Sequence, residues 1–188
     1  MAETLTLIVP SLTELPQYAD ALRRGWSPDN VRLEAASREE LARIAADSTA
    51  FVASLDDRQA KAGPITLPDG STVPRLPGFR RWMWDGEFCG SIGFRWQPGT
   101  SALPAHVLGH AGYAVVPWKR NRGYATRALA LLLPMAKREG IEYVELTTDP
   151  GNAASHKVIT ANGGVLVGPF KPTEPYGDKE QLRFRIPL

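Results

Sequence analysis

Tyr113-Ala-Val-Val-Pro-Trp-Lys-Arg-Asn-Arg-Gly-Tyr-Ala-Thr126 passes from a strand, through a basic loop, into a helix. Pro117 stops the strand, and Gly123 opens the helix. Lys119, Arg120, Arg122 and Arg127 bring four positive charges with no acid among them. The first turn of a helix leaves backbone N–H groups unpaired at the positive end of its dipole. Gly123 and the small Ala125 let a ligand approach that backbone closely. Together they predict an anion cradle suited to a pyrophosphate. The spacing is neither GxGxxG nor a P-loop, so NAD and ATP are not favoured. A solvated basic turn before a helix would look the same.

Working outward, Gly123 to Glu139 reads as a helix with Leu129, Leu132, Leu133 and Ala136 on one face, kinked at Pro134. Glu142 to Thr148 reads as a strand, and Asn152 to Asn162 as a helix closed by Gly163-Gly164. Val165 to Val167 and Leu182 to Ile186 are the last strands. Upstream, Phe79 to Trp84 and Glu87 to Arg95 form a hairpin about Asp85-Gly86, and Val107 to Val116 is the next strand. Gln97 to Ala105 is a loop. Ala62 to Gly78 is a Pro- and Gly-rich loop with a short hairpin at Asp69-Gly70. Thr4 to Val9 alternates as a strand. Ser11 to Glu14 and Ser37 to Glu40 read as capping boxes opening two helices. The second carries Leu41, Ile44, Ala45, Phe51, Val52 and Leu55 on one stripe. The order predicts an α/β (α+β) domain, a mixed sheet with helices on its faces.

The chain has 188 residues, 43% hydrophobic and 22% charged, which fits one globular domain. We read 1–78 as N-terminal helices and an acceptor-side loop, and 79–188 as the core. Cys89 is the only cysteine, so no internal disulfide or Cys-rich metal site forms, and a reducing compartment fits. No metal is expected. A net charge of +2 argues against nucleic acid as partner. The uncharged run Ala128 to Ala136 is too short to span a bilayer, and MAETLTLIVPS lacks a basic leader region. A cytoplasmic location is expected.

Arg120-x-x-Gly123-x-Ala125, after a strand ending Tyr113-x-Val115-x-Pro117, resembles the acyl-CoA motif of the GNAT superfamily of N-acetyltransferases. Asp149-Pro-Gly-Asn152-Ala-Ala-Ser155-His-Lys-Val-Ile159 before Gly163-Gly164 resembles the family's second CoA-side motif. The whole string is similar to a bacterial branch of predicted acetyltransferases of undefined substrate. The resemblance implies a mostly antiparallel sheet of about seven strands with a splayed central pair and helices on both faces. It implies acetyl-CoA as co-substrate and a small-molecule primary amine as acceptor, attacked directly in a ternary complex. Dimers are frequent in the superfamily, so a homodimer is compatible. By the same resemblance, backbone groups of Val115 and Val116 pair with the pantetheine arm. Main-chain N–H groups of Arg120, Asn121, Arg122, Gly123, Tyr124, Ala125 and Thr126 hold the pyrophosphate. Asn152 and Ser155 line the arm near the thioester, and Lys157 meets a phosphate or is simply solvated.

An amine nucleophile must lose a proton, because its pKa lies near 10. His110, Asp149 and Glu145 are the candidate bases, in that order. His110 is equally a satisfied strand histidine, Asp149 a turn cap, and Glu145 a paired sheet residue. Many members of the family carry a tyrosine, the acid for the departing thiolate, about where Ile159 stands. Ser155, Tyr113 or Tyr124 would replace it, or the thiolate leaves unaided. The departure at Ile159 also supports an alternative, an acyl-CoA-binding sensor without turnover. Trp84, Arg95 and Trp96 are the candidate acceptor contacts, with Arg95 placed to hold a carboxylate. Core packing and a surface ion pair explain the same residues.

Overall fold

The computed structural model describes residues 4–67, 69–172 and 179–188. Residues 1–3, part of the segment read above for a leader, and Pro68, within the Ala62 to Gly78 loop, lie outside them. In order the elements are β1 (Thr6–Ile8), α1 (Leu15–Arg23), α2 (Leu33–Ala46), α3 (Ser48–Ala53), β2 (Asp56–Asp57), β3 (Ile65–Thr66), β4 (Thr72–Val73), β5 (Gly78–Trp84), β6 (Phe88–Arg95) and β7 (Ala111–Val115). A 3-10 turn (Pro117–Lys119) leads into α4 (Tyr124–Lys137), β8 (Tyr143–Thr148), α5 (Ala153–Thr160), β9 (Val165–Phe170) and β10 (Gln181–Pro187). No helix among the described residues is long and apolar enough to cross a membrane.

The strands form two antiparallel halves. One runs β1-β5-β6-β7, with β2 beside β1 on the outer edge of β5; the other runs β8-β10-β9. These seven longer strands match the expected sheet. β7 and β8 face each other without a ladder between them. They are the splayed pair.

Strand alternation builds two cores. On one face Phe79, Met83, Ile92 and Phe94 pack against Leu129, Leu132 and Ala136 of α4. On the other face Trp82 and Phe88 pack against Leu15, Tyr18, Leu22 and Phe51 of α1 and α3. Tyr18 stacks on Trp82 at 4.9 Å and 18°. Beside them Arg80 Nη1 donates to Tyr18 Oη and to Glu40 Oε1, both at 2.8 Å.

Four local readings change. Ser37 to Glu40 lies inside α2 rather than at its start, because Ser37 Oγ donates to Trp26 O at 2.9 Å and Glu40 turns inward to Arg80. The stripe from Leu41 to Leu55 is broken at Asp47, whose extended backbone caps α3 by accepting from Ala50 N–H at 2.9 Å. Glu87 belongs to the hairpin turn and not to β6, since Asp85 N–H reaches Glu87 O at 3.2 Å. The strand read from Val107 begins only at Ala111, because His110 serves two partners at once.

His110 N–H donates to Glu145 O at 2.8 Å, while its Nδ1 accepts from Glu145 N–H at 2.9 Å. The imidazole thus stands in for a carbonyl, fastening the base of the splay where the ladder stops. The ring is fully buried, stacked on Phe94. Burial drives its pKa down to about 4. The folded state therefore binds this proton less readily than the unfolded chain, whose histidines titrate near 6.5. His110 stabilises the fold above about pH 6.5, and that contribution is lost as pH falls through about 4, amounting to about 3 kcal/mol. Urea unfolding between pH 7 and 4 should show this slope, and His110→Gln should remove it. An unchanged slope in the variant would place the effect elsewhere.

Candidate active site

The ladder to β6 fixes which groups β7 presents to the splay. Arg95 N–H donates to His110 O at 2.8 Å, and Val116 N–H donates to Cys89 O at 2.9 Å. Alternation then directs the backbone groups of residues 110, 112, 114 and 116 toward β6. Those of Ala111, Tyr113 and Val115 face the opposite edge, toward β8. The expected pairing through Val115 is open to a ligand by this geometry. The pairing through Val116 N–H is not, since Cys89 already takes it. Asn30, from the loop between α1 and α2, reaches this edge, its Nδ2 donating to Tyr113 O at 3.1 Å.

β7 leads into the basic loop. Asn121 (φ 60°) and Gly123 (φ 75°) are both left-handed. Gly123 N-caps α4 and offers no capping side chain, so the N–H groups of Tyr124, Ala125 and Thr126 are left for a ligand. Arg120 N–H is turned back to Pro117 O at 3.4 Å, and its Nε to Val115 O at 3.3 Å. Arg120 thus braces the loop. Lys119, one of the four basic residues, is spent. It is buried and its Nζ lies 2.6 Å from Asp85 and 3.0 Å from Glu87. Burial opposes the charges, yet hydrogen bonds from Lys119 and Tyr124 hold the Asp85 carboxyl at about 2. Burial pushes the Cys89 thiol up to about 12, so it is not a nucleophile. Tyr124 Oη donates to Asp85, which turns that side chain to the hairpin.

Across the splay, Asn152 caps α5, its Oδ1 accepting from Ser155 N–H at 3.0 Å. Ser155 Oγ and Tyr113 Oη lie 2.8 Å apart, joining α5 to β7. Burial raises the Tyr113 pKa, against the opposing hydrogen bond with Ser155, so the phenol keeps its proton. Lys157 is exposed on α5, and Ile159 is fully buried in the core on α4's side.

The three candidate bases each have partners in the fold, although His110 Nε2 has none among the described residues. His110 has Nδ1 spent and no exposed surface. Asp149 accepts from Gly151 N–H at 2.8 Å, and Lys179, with that N–H, holds its carboxyl below the usual range. Glu145 pairs with Arg185 Nη2 at 2.7 Å. Apart from Gly151, these partners come from 30 to 40 residues away in sequence. Trp96 is buried, stacked on Phe94 at 5.6 Å and 17°, and Trp84 packs against the α1 core. Neither is among the residues that line the two hollows described next.

Arg95 is. A cavity of ≈ 250 Å³ lies between β5, β6 and the β3–β4 hairpin, lined by Asp57, Arg75, Arg80, Gly93, Arg95 and His106 among others. Sequence reasoning missed Arg75, Arg80 and His106, because nothing local marks them as neighbours. A second hollow of ≈ 930 Å³ flanks the loop, lined by Asp85, Lys119, Arg122, Gly123 and Arg127 among others.

The family profile described as "Acetyltransferase (GNAT) domain" matches residues 18–165. No functionally curated protein matches the sequence significantly. Among solved structures, the chain is similar to the self-immunity acetyltransferase of microcin C7 in complex with acetyl-CoA and AMP. That likeness has a TM-score of 0.63 and 14% identity, covering 99% of this chain and 93% of that one. A ribosomal L7/L12 α-N-protein acetyltransferase in complex with coenzyme A gives 0.62 and 14%, covering 98% and 94%. A ribosomal-protein-S5-alanine acetyltransferase from Vibrio fischeri gives 0.59 and 16%, covering 97% and 92%. At these identities the likeness is one of fold.

Proposed function

Because the chain belongs to the GNAT acetyltransferase family, we propose that it moves the acetyl group of acetyl-CoA to a primary amine of a small molecule. The observation that carries this reading is the β7 edge at Ala111, Tyr113 and Val115, which no strand pairs and where side chains of Asn30 and Arg120 reach only the Tyr113 and Val115 carbonyls, together with the uncapped start of α4. The N–H groups of Tyr124 to Thr126 would hold the diphosphate. The pantetheine arm would lie along the β7 edge, hydrogen-bonded as a strand would be. A β7 N–H at Tyr113 or Val115 would stabilise the oxyanion of the tetrahedral intermediate.

Direct attack forms the new C–N bond and expels the CoA thiolate. Tyr113 takes the place of the family's tyrosine on the helix, giving its proton to the thiolate and sharing the site with Ser155. His110 is fully buried, and Asp149 and Glu145 are ion-paired, so the amine's proton leaves to water over the exposed backbone of Gly112. A bound small amine fits the cavity of ≈ 250 Å³ under the β3–β4 hairpin.

Thermal shift with acetyl-CoA followed by free-thiol release against an amine panel tests this reading. Stabilisation with amine-dependent thiol release is expected. With water as proton acceptor, kcat/KM should rise about tenfold per pH unit below the amine's pKa. Stabilisation without release from any small amine or peptide amine would leave the sensor alternative, and no stabilisation would remove both.

A further inference from the structure

Resting on that reading, we infer that the acceptor is a small amine that also carries a carboxylate, held by Arg75 and delivered to β7 over a shelf made by Gly93 and Gly112. The two glycines are direct partners in the β6–β7 ladder, so both would project side chains from the same face. Ile92, Phe94, Ala111 and Tyr113 point to the α4 face. The shelf therefore lies on the face that carries α1 and the cavity.

Neither glycine is required by the fold. Neither has a positive φ. A Cβ at Gly93 would meet nothing closer than 3.9 Å, and one at Gly112 nothing within 4 Å. Gly90, two residues away in sequence from Ile92, behaves differently: its φ is +144° and a Cβ would meet Ala114 O at 2.2 Å. Glycine within a strand costs stability, and a bare pair marks close approach by another molecule. Gly93 lines the cavity, and Gly112, its ladder partner on β7, is exposed. The pair leads from the cavity onto β7.

The cavity's charges select the far end of the acceptor. Arg80 is matched by Glu40 at 2.8 Å. Asp57 accepts from Lys61 N–H (2.8 Å) and Ala62 N–H (3.0 Å) and lies near enough to feel the charge of Arg75 without pairing with it. Arg75 Nε donates to Gly63 O at 2.9 Å, which fixes the guanidinium in orientation. Among the described residues no carboxylate lies within 4.0 Å of Arg75. Its terminal nitrogens are a planar fork matched to a carboxylate.

The test uses the full chain with acetyl-CoA and matched pairs: α- and ω-amino acids from glycine to 6-aminohexanoate, each against the alkylamine of the same length. At least one amino acid should exceed its alkylamine partner in kcat/KM by 100-fold. Arg75→Gln should cut that preference at least tenfold through KM, with kcat within threefold and the alkylamine rate unchanged. Gly112→Val should abolish transfer to every acceptor yet keep the acetyl-CoA thermal shift and the melting temperature. Equal use of both members of every pair, an Arg75→Gln loss shared by alkylamines, or normal turnover by Gly112→Val would overturn the inference. So would turnover of peptide amines with none of the amino-acid series, which would spare the acetyltransfer reading. Loss of the acetyl-CoA shift in the unaltered protein would sink that reading instead.

Discussion

Gly123→Glu is expected to weaken acetyl-CoA binding by 100-fold or more. Gly123 has φ 75°, and a Cβ there meets nothing within 4 Å. Any substitution therefore brings only backbone strain, roughly 1–2 kcal/mol for a left-handed non-glycine residue. Gly123→Ala isolates that cost and should weaken binding by about tenfold at most. Glutamate adds a carboxylate beside the N–H groups of Tyr124, Ala125 and Thr126. It would bind them as a capping acid does and repel the diphosphate. The fold should not suffer more than in the alanine variant, because a negative charge at a helix start is favourable. Isothermal titration with acetyl-CoA and the melting temperature of each free protein separate the two effects. Binding by Gly123→Glu within threefold of the alanine variant would move the cradle elsewhere.

Tyr113→Phe is expected to lower kcat by about 100-fold at neutral pH, within the range that a positioned acid supplies. The change removes one oxygen, 2.8 Å from Ser155 Oγ, and leaves the ring packed between β7 and α4's core. Binding of acetyl-CoA should stay within threefold, since the backbone edge that would pair with the arm is untouched. Ser155→Ala should cost less, about tenfold, because Tyr113 keeps its proton without it. A purely structural bridge would give the opposite pattern: a lower melting temperature in both variants and an unchanged kcat. Retention of kcat within threefold in Tyr113→Phe would assign the acid role to another group or to unaided thiolate departure.

The departure at Ile159 and the role proposed for Tyr113 are connected. Ile159 sits in the core, where a Cβ at Gly164 would meet its Cγ2 at 2.3 Å. A tyrosine there would need space that the Gly163-Gly164 turn has already taken. The polar group at the splay comes from the facing strand instead. No spacing rule within either motif predicts that exchange, because Tyr113 and its partner Ser155 on α5 lie 42 positions apart.

Local chemistry settled much of this protein. Pro117, Gly123, Asn152 and Gly163-Gly164 mark strand ends and helix caps whose geometry depends on neighbouring residues, so the strand–loop–helix cradle and the α5 turn were legible at once. Alternation gave β5 and β6, and the seven-stranded mixed sheet followed from their order. The folded chain alone decided which side chains remain available. His110 was spent on Glu145, Lys119 on Asp85, and Glu145 on Arg185, while Arg75, Arg80 and Gly93 were brought together around a cavity. Such availability is set by partners 25 to 40 residues away or more, and a chain's local preferences carry no record of which of them will arrive.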